Sequence, residues 1–592
     1  MIISKIILIL LLLRTGRDTL PVYYEDTIVV SGFYTHSFVF PELSLKDIES
    51  VPGFLEPDIT GYISKFPFVS QADNFIFTNA IYIRGQDPWQ TVFYFDSIPV
   101  LSPFHFFGVS SFPVAGFKKV EYFPLFHPVF AFKRSGNVFN IVPIHEHRRS
   151  LFQSPLNTTV SFVNKNINFT GRIFYPALLI NALSHKKFSV WEGDSYVDFV
   201  NNNFGIMLLY SFENTFNKDT ISDYLMSRFK SFAAGIKWKK VRWFYSSTRK
   251  FSRIEDDTIF NDSLSLYGIE FFLRNNVNVS FSRFYQGQRE FFKLVPVSYL
   301  STSSGWLFTF APVVYFHNQN LYINPDFESL FRLNFESFKL SMGLKERSHY
   351  LSGKSPLYTI PIIPEISLAP ERMWEADFGI MKIYSKGRLS IESYAAYHEN
   401  YRFYHTDRFF LPEKEDEFFS FSDNMEGSVR EVDSISLWRG SKVRAGINAR
   451  VSLILKDNFY LQLFGGSNVV KIITKNYSYF PSYMVPFKFS GDLFFNRNGW
   501  SAMGTFTYLS GKFYATRVIN YGYYPVYTDK FYYYPLPSEF TISIGVSKRF
   551  KIGSFKTEFG FSINRIGIRE GISYYLYPEY YNLPSLFFKM EW

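Results

Sequence analysis

The sequence predicts an all-β membrane protein: a large antiparallel transmembrane β-barrel preceded by a small N-terminal domain of mixed α+β character. Three observations carry this. Aromatic residues make up 21% of the 592 residues, with 71 Phe and 42 Tyr, more than a soluble core requires. Hydrophobic residues reach 47%, yet the mean hydropathy is only −0.05, so apolar and polar residues are interleaved, as in strands with lipid on one face and water on the other. Period-two stretches recur through the C-terminal three quarters with no soluble domain boundary and no run of like charge.

The bulk numbers exclude several classes. There is no cysteine, hence no disulfide framework, thiolate metal site or lipoprotein anchor. The net charge is +10, but basic and acidic residues are mixed rather than clustered, which argues against nucleic acid and fits loops beside anionic headgroups. No GxSxG, Walker or HExxH pattern occurs, and scattered acids such as Glu375 and Asp492 show no paired spacing, so no enzyme chemistry is indicated.

At the N-terminus, Lys5 precedes the apolar run 6–13 and Arg14. This reads as a signal peptide over about residues 1–20; a spanning helix needs about 20 apolar residues. Residues 21–32 contain Asp26, Thr27, Ile28, Val29 and Val30, a short β-prone strand on a polar leash. Ser44, followed by Asp47, is placed to cap a short helix.

Residues 81–142 hold short runs rich in β-branched and aromatic side chains, at 81–84, 91–95, 119–123 and 138–142. They are punctuated by Gly85 with Asp87-Pro88, by 96–99, by Ser102-Pro103 and by 135–137. Their order resembles the plug of TonB-dependent outer-membrane receptors. Ile83-Arg84-Gly85 matches an "IRG" segment, Phe95-Asp96-Ser97-Ile98-Pro99-Val100 an "xxDGxPV" segment, and Val120-Glu121 followed by Gly136-Asn137-Val138-Phe139-Asn140-Ile141 a "VExxxG…GxNI" segment. Residues 102–112, with His105, look like the "NPxHxFGxFSxF" form of one branch. Residues 47–54 resemble the "DVxxLPGV" helix end, and 26–30 resemble the TonB box. Two departures stand out: Ser97 replaces the usual Gly, and 130–134 replace a "YGG" turn, so altered turns are expected there.

The resemblance implies a plug over residues 33–145 inside a barrel of residues 146–592. It implies an outer-membrane active transporter of a diderm bacterium, taking up a scarce nutrient such as a ferric siderophore, cobalamin, another metal chelate or an oligosaccharide. The partners implied are a TonB-type energy transducer binding Asp26, Thr27, Ile28, Val29 and Val30 by strand addition, outer-membrane lipid and the barrel assembly machinery, with the receptor itself a monomer and no cofactor. Arg84, Asp96 and Glu121 are expected to pair with wall charges and hold the gate shut, with Gly85, Pro99 and Gly136 shaping turns. Gln86, Trp89, Phe104 and His105 are expected in turns facing ligand, the aromatics suited to stacking.

The barrel itself is read from pattern. Trp500, Phe506 and Tyr508 share a face, as do Phe540, Ile542, Ile544 and Val546, and as do Phe555, Phe559, Phe561 and Ile563. The length accommodates about 22 strands of roughly 20 residues including turns. In the last strand Leu586, Phe588, Met590 and Trp592 share a face, and Phe588, Met590 and Trp592 resemble the assembly signal of outer-membrane barrels. His145-Glu146-His147 puts two imidazoles on one side of an extended segment, but with no third ligand nearby it reads as a solvated linker, and no metal site is assigned. Rival readings are a passive channel and a structural or adhesive barrel with a vestigial plug.

Overall fold

Alternation along each strand builds the barrel. In Asn157–Asn164, Thr159, Ser161 and Val163 are buried while Val160 and Phe162 are exposed. In Ile167–Phe174 the inward set is Asn168, Thr170 and Arg172, and the outward set Ile167, Phe169 and Ile173. Trp191, Val197, Leu208, Tyr210, Tyr267, Leu493 and Trp500 continue the exposed apolar surface on other strands. Polar residues inside and apolar residues outside invert the soluble arrangement, which is what a lipid surround selects.

The computed structural model describes the chain from residue 42 to the C-terminus with breaks, the longer ones at 45–58, 73–79, 106–111, 124–136, 175–187, 350–370, 413–428 and 570–583. The leader-like run and the 26–30 segment therefore lie outside the described residues, as does most of the segment expected to be helical. Neighbouring barrel strands pair antiparallel, and Pro584–Glu591 pairs with Arg148–Gln153 to close the cylinder. Trp306–Phe310 and Val313–His317 both pair with Arg289–Ser301, so they are halves of one strand, interrupted at Pro312, which has no N–H to give the ladder. Asn320–Asn324 and Phe327–Asn334 are likewise halves of the next. With these merged, and the two-residue Ser478–Tyr479 taken as an extension, the described barrel has twenty-two strands, the number expected. Gly387–Thr406 and Ile435–Lys456, at 20 and 22 residues, run well past the roughly 9–11 that a crossing needs.

The N-terminal domain is a five-stranded sheet in the order Glu42–Ser44, Phe117–Phe123, Val138–Pro143, Val92–Phe95, Ile98–Val100, with a separate hairpin of Val69–Ala72 and Ala80–Ile83. Val92–Phe95 and Val138–Pro143 run parallel; the other pairs are antiparallel. Ser44 ends the edge strand. Aromatic rings bind the sheet together, with Phe93 on Phe139 at 5.0 Å, Tyr122 on Phe139 at 4.8 Å and Phe68 on Tyr122 at 5.6 Å. The same apolar cluster runs on into the barrel wall through Tyr196, Met207, Leu209, Phe244, Leu264, Leu266 and Phe464. The small domain thus sits in the lumen as a plug.

The hairpin between Val92–Phe95 and Ile98–Val100 corrects the expectation of an altered turn at Ser97. Asp96 and Ser97 both take positive φ, 46° and 66°, in the two-residue geometry that suits hairpin twist. A serine there is strained relative to glycine. Asn140 compensates by accepting the Ser97 N–H on Oδ1 at 3.0 Å.

The closing seam is short but dense. Arg148 meets Glu591 at 2.9 Å, the Trp592 N–H donates to the Arg149 carbonyl at 3.1 Å, and Phe588 packs on Phe559 at 4.9 Å. Removing residues 586–592 would leave Arg148–Gln153 and Phe555–Arg569 as open edges. The truncated chain is expected to lose the compact, heat-modifiable migration of a closed barrel on unheated gels.

Candidate functional site

The site with the most chemistry is the plug–wall interface, and it begins where Ala80–Ile83 ends. Arg84 and Gly85 take positive φ, 53° and 68°, and the Gln86 N–H returns to the Ile83 carbonyl at 2.9 Å. Position 85 must be glycine, because its φ is left-handed and a Cβ would run into Val470 of the wall. The left-handed backbone costs Arg84 about 1–2 kcal/mol and aims its side chain outward. The guanidinium meets Asp377, Glu375 at 3.4 Å and Glu392 at 3.2 Å, with its face over Tyr394 at 5.0 Å. Arg444 from the wall donates to the Arg84 carbonyl at 2.8 Å, to His398 Nε2 at 2.8 Å and to Glu375. His398 in turn meets Glu371 at 2.7 Å through Nδ1. Burial alone would lower the Arg84 pKa, but Tyr122, Asp377, Glu392 and Glu375 outweigh it and hold the group charged.

Further contacts are spread around the lumen. Lys65 pairs with Asp492 at 2.7 Å, while wall residues Ser490 and Lys488 donate to the Lys65 and Val69 carbonyls at 2.7 and 3.0 Å. Asp96 pairs with Lys237, and Ile98 beside it fills the space that the missing side chain of Gly235 leaves in the wall. Asn168 donates to the Gly116 and Ile144 carbonyls at 2.7 and 2.9 Å. His105 meets Asp194 at 2.7 Å, with Glu192 and Glu213 close by and the Phe229 ring against it. Burial pulls the His105 pKa down, but Asp194, Glu192 and Glu213 overcome it and push it up to about 9.

The expected residues divide. Arg84 and Asp96 meet wall charges, Arg84 those of Glu375, Asp377 and Glu392 and Asp96 that of Lys237. Glu121 does not: it pairs within the plug, with Lys119 at 2.9 Å and Asn140 at 2.9 Å. Gly85 is the close approach just described, and Pro99 lies buried opposite Tyr94 in the hairpin. Gln86 and His105 are 0% and 1% exposed, so in this conformation neither presents a side chain to the outside; Gln86 instead accepts from Asn137 Nδ2 at 2.7 Å. Asp26, Thr27, Ile28, Val29, Val30, Trp89, Phe104 and Gly136 lie outside the described residues. Phe588, Met590 and Trp592 lie on the closing strand and just beyond it. Of the 145–147 triplet, Glu146 is exposed and pairs with Lys118 at 3.0 Å, while half-buried His145 faces Asp198 at 3.3 Å.

Sequence reasoning missed Lys65, Arg444, Lys488 and the roles of Glu375 and Asp492. Those scattered acids are the wall halves of plug–wall pairs. Their one sequence signal is an acid at a position whose strand neighbours two residues away also face inward.

Neither a family model nor a curated protein matches the chain by sequence. Solved structures do match by shape. The siderophore receptor PirA from Acinetobacter baumannii superposes with a TM-score of 0.60 at 11% identity, over 94% of this chain and 98% of its own. The copper transporter OprC gives 0.61 at 11% identity, over 94% and 99%. The FrpB iron transporter from Neisseria meningitidis gives 0.61 at 8% identity, over 93% and 98%.

The chain has the plugged-barrel fold of TonB-dependent receptors. At these identities the likeness is one of architecture, reached with a different set of side chains. In such a fold the plug is a separate body inside the lumen, and buried ion pairs fix where it sits against the wall. Replacing a buried pair by apolar residues is often neutral, whereas removing one partner costs about 3–5 kcal/mol. Arg84→Ala is therefore expected to weaken plug docking by about 3–5 kcal/mol. Ion conductance in planar bilayers should rise, and entry of an antibiotic too large for ordinary porins should increase, with Arg84→Lys giving a smaller effect.

Proposed function

We propose that the chain is an outer-membrane receptor that binds a scarce nutrient outside the cell and imports it to the periplasm with energy from a TonB-type transducer. The observation that carries this reading is a plug that fills the lumen yet is fastened to the wall by ion pairs. A passive channel has no use for such a filling. Matching solved structures carry the names of a siderophore receptor, a copper transporter and an iron transporter, which favours a metal chelate among the nutrients considered.

The mechanism follows from the range of the forces. Arg84 and Lys65 attract their buried wall partners strongly only while water is kept out. A pull on residues 26–30 that shifts the plug by a few ångström lets water reach the guanidinium and its carboxylates, and hydration then replaces the lost pairs. The gate thus needs a strong force over a short distance, which a strand-added partner can transmit through backbone hydrogen bonds. Ligand would bind among outer loops and plug apices, and no covalent chemistry is required.

The test is binding of a peptide covering residues 23–31 to the periplasmic domain of the transducer. Saturable binding, abolished by Val29→Pro, is the expected result. Absence of binding at high micromolar concentration would turn the reading to a structural or adhesive barrel with a vestigial plug.

A further inference from the structure

His105 of the plug meets the wall at a cluster in which its Nδ1 and both Glu192 carboxylate oxygens are unsatisfied. His105 turns Nε2 to Asp194 Oδ1 at 2.7 Å, and Arg172 Nε donates to the other Asp194 oxygen at 2.9 Å. This leaves Nδ1 pointing away from Asp194 with no hydrogen-bond partner, on a side chain only 1% exposed. Nδ1 faces Glu192 Oε2 at 4.0 Å and Glu213 Oε2 at 3.8 Å. Both oxygens of Glu192, itself 1% exposed, also lack a partner. One donor atom from each of His105, Glu192 and Glu213 lies within 4.8 Å of the other two.

Those separations are too long for hydrogen bonds, which end near about 3.2 Å. They suit a shared ion: two ligands each about 2.1 Å from one metal are at most about 4.2 Å apart. Charge points the same way. A divalent cation that displaces the His105 proton would leave a neutral imidazole, and its two charges with that of Arg172 would then balance the carboxylates of Asp194, Glu192 and Glu213. A mixed set of one imidazole nitrogen and two carboxylates suits first-row divalent metals, whereas calcium and magnesium prefer oxygen alone. Asp194 stands where an orienting carboxylate belongs, on the far ring nitrogen, fixing the tautomer that leaves Nδ1 free to ligate.

We propose that His105, Glu192 and Glu213 bind a first-row divalent metal ion that bridges the plug to the barrel wall. One ligand comes from the plug and two from neighbouring wall strands, Phe188–Asn201 and Phe204–Lys218. The ion is a rivet: moving the plug breaks one coordination bond and leaves the wall ligands in place. The site stands independently of energised transport.

The test uses the untagged full chain, purified from outer membranes in detergent, stripped with a chelator and dialysed against Zn²⁺, with bound metal measured by mass spectrometry. His105→Ala and Glu192→Gln are treated alike, and closure of each barrel is checked by its migration on unheated gels. About one equivalent of zinc in the parent is expected, with affinity at least about tenfold lower in both variants. No zinc in the parent, or zinc held equally by closed barrels of both variants, would overturn the proposal and leave the cluster a network of ion pairs.

Discussion

A guanidinium without water around it has to be met by carboxylates, and that demand on Arg84 fixes how the plug sits. The group is buried at 2% exposure and reaches Glu375, Asp377 and Glu392 from two wall strands, while its carbonyl is gripped by Arg444 from a third. An ion stripped of water costs several kcal/mol unless such partners are in place. The left-handed backbone at Arg84 and Gly85 is the local strain accepted to deliver that side chain. The turn after Ile83, its glycine and the wall acids make sense only together.

The other fastenings share this logic on different strands. Lys65 with Asp492, Asp96 with Lys237 and His105 with Asp194 involve three different strands of the wall. Between them lies ordinary apolar packing, such as Phe95 on Tyr196 at 4.3 Å. Packing supplies cohesion that tolerates sliding, and charge pairs supply position. A plug held by packing alone could settle in several registers; matched charges leave it one.

Much of the architecture was legible in the sequence. The plug strands were expected at 81–84, 91–95, 119–123 and 138–142, and they lie within a residue or two of those bounds because turn residues punctuate them. The barrel was legible from alternation and length, since the lipid face imposes period two. Which wall residue meets each plug charge was not. Every lumen-facing position of a wide barrel tolerates polar residues, so an acid such as Glu375 looks the same in sequence whether it meets water or Arg84. Which cation meets it depends on strand register and curvature, set by hundreds of other residues. Glu121 shows the limit from the other side, a plug charge that finds its partner two residues away. The His105 cluster was out of reach for the same reason, since Glu192 and Glu213 come together only through the pairing of their strands.

The seam has a bearing on how such a molecule comes to exist at all. Its ion pair between Arg148 and Glu591 joins residues separated by 443 positions. The entropy of closing so long a loop grows only logarithmically and amounts to about 5 kcal/mol, well within what a strand pairing and its rings can offset. Time is the harder obstacle. Pairing across such a separation is slow, and until it happens two strand edges present unpaired N–H and C=O groups to any other chain. Closing the seam removes both edges at once, so the long interval before the ends meet is when a chain of this topology is most open to pairing with its neighbours.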